Sequence, residues 1–129
     1  VSERPIDPDH LLAARELAEC SLRLVERLEL GPLRVATGIW LVGAFDLALG
    51  RYDEATGLFS DARGHYAAAN APGLVLLVDG YAAIVRQVGK RPASGDDLDQ
   101  VCARIAAGGF KDGDEWIAQL RTALEVFAR

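Results

Sequence analysis

Two aspartates and a histidine are the residues of this chain best placed to do acid–base chemistry. Asp46 is the only charge between Val35 and Gly50, and Asp79 is the only charge between Gly73 and Val85. Two carboxylates on neighbouring apolar helices could share a desolvated site, where one would hold a proton that the other lacks. His65, between them in sequence, could trade that proton. The structural alternative is that each aspartate caps a neighbouring helix or pairs with Arg34, Arg63 or Arg86. Asp46 and Asp79 are then buried-charge positions, and the chain has no catalytic residue.

Other chemistries lack their residues. His10, His65, Cys20 and Cys102 show no ligand spacing such as Cys-x-x-Cys or His-x-x-x-His, so no metal is expected. Asp112-Gly113-Asp114 lacks the alternating acids and closing Glu of a calcium loop. Gly108-Gly109 has no preceding strand and no following Lys, as a phosphate cradle requires. There is no nucleophile elbow. No cofactor is expected. The two cysteines lie in separate helical patterns and read as free thiols of a cytoplasmic protein.

The composition bounds the rest. A chain of 129 residues is one domain, 1–129, with one modest core. Half of it is hydrophobic and 26% is charged, which is globular composition. Nineteen acids against fourteen basic residues give a net charge of −5, and nucleic-acid binding needs a basic patch instead. No run of eighteen apolar residues could span a membrane. The stretch from Ser2 to His10 is polar and carries no signal pattern. Methionine is absent, so Val1 reads as a trimmed start, a fragment boundary or a valine-read start codon. The richness in Ala, Arg, Gly, Leu and Val suits a GC-rich bacterial genome.

The punctuation predicts an all-α chain of about six helices. Asp7-Pro8 opens the first, whose apolar stripe runs through Leu11, Ala14, Leu17, Ala18, Ser21, Leu24, Val25 and Leu28. Gly31-Pro32 ends it. The second, about Leu33 to Leu49, is apolar nearly all round, which predicts burial on most sides. The third runs from about Asp53 to Ala69 and the fourth from Leu74 to Val88, separated by the turn Asn70-Ala71-Pro72-Gly73. After a loop from Gly89 to Ala93, Ser94 to Asp97 resembles a capping box for a fifth helix with Leu98, Val101, Cys102 and Ile105. Gly108-Gly109 breaks it. Asp112 to Asp114 can cap a sixth, 113–128, carrying Trp116, Ile117, Leu120, Leu124 and Phe127. No stretch alternates with period two.

Shifting the first helix by 41 residues lays Leu11 on Tyr52, Ala14 on Ala55, Leu17 on Leu58 and Ser21 on Ala62. Ile39, Val42-Gly43, Gly50-Arg51-Tyr52-Asp53-Glu54-Ala55, Phe59 and Ala62 stand where tetratricopeptide repeats carry their packing residues. Small Gly43 and Ala55 let two helices approach, and Tyr52, Phe59 and Ala62 fill their seam. The stretch 37–71 therefore resembles one tetratricopeptide repeat, and 74–106 resembles a degenerate second, with Gly80 in the Gly43 role. The first helix looks like a second helix of a repeat whose partner is missing. The long spacing is similar to repeats in large bacterial transcriptional activators and signalling proteins.

That resemblance implies antiparallel helical hairpins stacked as a short right-handed superhelix, with the last helix as its cap. It implies a groove lined by Thr37, Trp40, Ala44, Leu47 and Ala48, joined by Leu74, Leu77, Tyr81 and Ile84. Such a groove suits an apolar or amphipathic peptide; the basic and Asn residues of a carboxylate clamp are absent. The expected function is protein or peptide binding, with a second copy of the chain as one partner. Three other readings stand beside it. The last helix, with Trp116 and Phe127, fills the groove from within; the groove senses a small molecule near Trp40 and Tyr81; or Asp46 and Asp79 make a small helical enzyme.

Overall fold

The computed structural model describes residues 7–92 and 94–129. Val1 to Ile6, and Ala93 at the end of the expected loop, lie outside the described residues. Among the described residues there are six helices and no strand. They are α1 (Pro8–Arg27), α2 (Pro32–Ala48), α3 (Tyr52–Ala68), α4 (Pro72–Val88), α5 (Leu98–Ala107) and α6 (Gly113–Phe127).

Side chains supply partners for the first N–H groups of α1 and α5. Asp7 accepts from the Asp9 amide at 2.9 Å. Proline opens α1, α2 and α4, where the missing N–H costs nothing. Asp97 and Gln100 form a reciprocal capping box on α5, each accepting a 2.8 Å bond from the other's amide. Asp112 stands before α6, but its side chain accepts no capping bond.

The stops are more regular than the starts. Glu29, Gly50, Asn70, Lys90 and Gly109 all sit at positive φ, between 52° and 76°, just past a helix end. After α2, the Arg51 amide reaches the Asp46 carbonyl at 2.8 Å and the Gly50 amide reaches Leu47 at 3.1 Å. The same pair of main-chain bonds closes α1, α3 and α4. These are Schellman closures, which satisfy the carbonyls a helix end would orphan and turn the chain back.

Each turn-back makes an antiparallel hairpin, and the hairpins stack. α3 lies between α2 and α4. Gly43 allows the first approach: a Cβ there would stand 3.0 Å from the Phe59 ring. Ala55, Phe59 and Ala62 have no exposure at that seam. Tyr52 lies against Gly89 at the end of α4, beneath the Arg91 guanidinium at 5.8 Å. The core continues through Val78, Ile84, Val101, Ile105 and Leu120. Each large side chain so buried stabilises the fold by roughly 1.5–3 kcal/mol.

Two expectations change. Gly80 makes its close approach to α6, since a Cβ there would meet Leu120 at 2.6 Å; its partner is not the fifth helix. And the apolar stripe expected on α1 divides. Ala18 is its one buried residue, while Leu17, Leu24 and Leu28 are exposed at 69%, 55% and 56%. The reason is position. α3 is covered on two sides, whereas among the described residues α1 packs chiefly on α2.

Candidate functional site

The 40-residue register puts α2, α4 and α6 side by side and parallel. Trp40, Gly80 and Leu120 occupy equivalent places on them. On one side of that row the Trp40 and Tyr81 rings meet edge to face, 5.3 Å between centroids at 74°. The Phe59 ring stands behind Tyr81 at 5.8 Å. From α6, the Gln119 amide donates to the Tyr81 hydroxyl at 2.5 Å. That bond fixes both the tyrosine rotamer and the distance between two walls.

These groups bound an open cleft of about 480 Å³. Trp40, Ala44 and Tyr81 form one wall, and Gln119, Val126 and Phe127 form the other. A recess of about 230 Å³ adjoins it under Thr37, Trp40, Leu74 and Leu77. At its rim Thr37 and Tyr66 share a 2.7 Å hydroxyl–hydroxyl bond. The Trp40 indole nitrogen is buried and has no acceptor. A buried donor without a partner costs the fold roughly 1–3 kcal/mol. Burial pushes the phenols of Tyr66 and Tyr81 up from their ordinary value, against the opposing hydrogen bonds from Thr37 and Gln119.

Most of the expected groove residues line this space: Thr37, Trp40, Ala44, Leu74, Leu77 and Tyr81. Leu47 and Ile84 do not, because both are in the core, 2% and 0% exposed. The α6 residues Gln119, Thr122, Ala123 and Val126 enter the site without having been expected there. The last helix neither plugs the groove nor stands apart from it; it is the second wall. Trp116 packs against Gly73 and Phe110, and Phe127 lines the cleft. The signal was present in the register that relates Gly80 to Leu120.

The two aspartates form no shared site. Asp46 has no exposure and takes a two-pronged bond from Arg15 on α1, 2.6 Å from Nε and 3.1 Å from Nη2. Arg15 also reaches Glu19, and these acids raise its guanidinium pKa. Arg51 stands 3.8 Å from Asp46 on the other side. Asp79 pairs instead with Arg63 of α3 at 2.7 Å and is about a quarter exposed, so it is not a buried charge. Arg63 was among the expected partners and Arg15 was not. Arg86 bonds the Asp96 carbonyl at 2.9 Å. His65 is exposed and bonds the Asp61 carbonyl of its own helix.

A larger cleft, about 720 Å³, opens between α3, α4 and the approach to α5. Its charged groups are already paired within the chain, Arg63 with Asp79 and Arg104 with Asp96 at 2.5 Å. Among the described residues no group of three or more His, Cys, Asp or Glu could hold a metal ion. No helix there is long and apolar enough to cross a membrane. Burial pushes the Cys102 thiol up, while Cys20 is exposed. No protein-family model, curated protein or solved structure matches the chain.

Proposed function

We propose that the chain is a protein- or peptide-binding module and that its ligand lies in the cleft between α2, α4 and α6. The observation that carries this reading is the open, mostly apolar cleft walled by Trp40, Ala44, Tyr81, Val126 and Phe127. Aromatic anchors and few fixed polar groups favour an amphipathic segment whose apolar side chains enter the cleft. The resemblance to tetratricopeptide repeats supports the same site and a role in a bacterial regulatory or signalling system in the cytoplasm. The pairing of Asp46 and Asp79 with separate arginines supports a structural role for both, rather than catalysis.

A small-molecule sensor is the second reading, favoured by a cleft whose volume falls within the range of ligand pockets. One experiment separates the two. A random peptide library is selected on the immobilised chain, and binders are measured by tryptophan fluorescence against the wild type and Thr122→Arg. Thr122 is an exposed residue of the cleft wall, so the arginine blocks the cleft without disturbing the core. Peptides that bind the wild type and lose affinity at least about tenfold on Thr122→Arg support the module. Binders indifferent to that change, or no binders at all, overturn it.

A further inference from the structure

A second exposed apolar surface lies on α1. In α3 the equivalent face carries Leu58, which meets Gly43 of the preceding helix, and Ala62, which is fully buried. On α1 the corresponding Leu17 and Ser21 are exposed, and Leu24 and Leu28, also exposed, extend the same stripe by helical periodicity. Leu30 and Leu33, just past the end of α1, are also exposed. Several large apolar side chains in one stretch of surface mark an interface.

The charges beside that stripe say what covers it. Helical spacing places Asp9, Glu16, Arg23 and Arg27 along one edge. The two acids precede Cys20 and the two arginines follow it. A helix with this order is complementary to itself when reversed, because the acidic half of one copy lies beside the basic half of the other. Among the described residues Glu16 and Arg27 make no ion pair, while Arg23 stands 3.7 Å from Glu19 of its own helix, an exposed pair it can exchange for one across the interface. The middle of the stripe, Cys20 and Ser21, is small enough for close approach.

We infer that two copies of this chain associate through α1, antiparallel about a two-fold axis passing near Cys20. Such an interface is isologous: Leu17 of one copy packs near Leu24 of the other, and Glu16 faces Arg23. One helix pair buries less than the roughly 800 Å² per partner of standard interfaces, so the dimer forms in a concentration-dependent way. It leaves the cleft on α2, α4 and α6 open and is independent of what that cleft binds.

Sedimentation velocity over a concentration series tests this on the full chain. The wild type should pass from monomer to dimer as concentration rises. Leu17→Asp should remain monomeric while its thermal unfolding midpoint stays near that of the wild type, since Leu17 is 69% exposed. Glu16→Arg alone and Arg23→Glu alone should each weaken the dimer about tenfold or more. The two together should restore it. Mild oxidation should trap a reducible dimer through Cys20 and not through buried Cys102. A wild type that stays monomeric throughout overturns the inference, as does a dimer that Leu17→Asp leaves intact. Failure of the double charge swap to restore association overturns the antiparallel arrangement.

Discussion

Arg15 closes on Asp46 with two nitrogens, and this pair joins α1 to a helix that otherwise meets it through apolar contact alone. Nε lies 2.6 Å from one carboxylate oxygen and Nη2 lies 3.1 Å from the other. Among the described residues no other side-chain hydrogen bond ties α1 to the rest of the chain. A helix with one buried residue thus depends on a buried charge pair, whose desolvation cost is offset only while both partners are present.

Arg15→Ala should therefore cost about 3 kcal/mol, the lower end of the range for an orphaned buried charge, because Arg51 at 3.8 Å can move toward Asp46. Arg15→Met combined with Asp46→Leu should recover most of the loss, since an apolar pair needs no compensation. Urea unfolding of the three variants is the check. A cost below about 0.5 kcal/mol for Arg15→Ala would show that the pair contributes nothing.

Gly80→Val should loosen α6. The new side chain would meet Leu120, which is fully buried and can retreat only by disturbing the core. Overpacking of this kind costs about 1–3 kcal/mol. Adding Leu120→Ala makes room, so the double variant should be less destabilised than the two single changes together. Additivity in thermal unfolding would contradict the contact.

Lys90→Gly should stabilise the chain by about 0.5–1 kcal/mol. Lys90 ends α4 at φ 53°, a conformation that a residue with a Cβ adopts at a cost and glycine does not. Gly50→Ala, at φ 76°, should act in the opposite direction. Equal midpoints for wild type and Lys90→Gly in denaturant would sink the idea.

Alkali should unfold the protein sooner than a chain without its buried phenols. The folded-state pKa values of Tyr66 and Tyr81 are raised by burial, so above pH of about 10 the unfolded state has lost protons that the folded state still holds. Their contribution is complete below that pH and falls as pH rises through the folded values. The Cys102 thiol, also raised, adds to the same trend. Tyr66→Phe with Tyr81→Phe should flatten the decline of the melting temperature in this window. An unchanged slope would count against the burial of both hydroxyls.

The sequence made the helices legible because their ends are local chemistry. Proline, Asp97 with Gln100, and the glycine turns act within a few residues. The α2–α3 seam was legible for a related reason, since Gly43, Ala55 and Phe59 are residue types that close packing requires. Partners across the fold were not. Arg15 lies 31 residues from Asp46, and nothing near either residue names the other. The stripe on α1 covered nearly half of the helix circumference, wider than one contact needs, yet pattern alone does not say which part is left bare. The role of α6 was harder to read because the Gly80–Leu120 contact that docks it joins residues 40 apart in sequence.

The five left-handed corners have a mechanical consequence. They fall 19 to 21 residues apart and act as graduations on a ruler. An extra residue inside a helix would rotate everything beyond it by about 100° and carry Trp40 or Tyr81 out of phase with the cleft. The same residue added at a corner would change only the length of the joint. Length can therefore change at the joints more readily than inside the helices. The phase of its helices is the quantity that cannot drift.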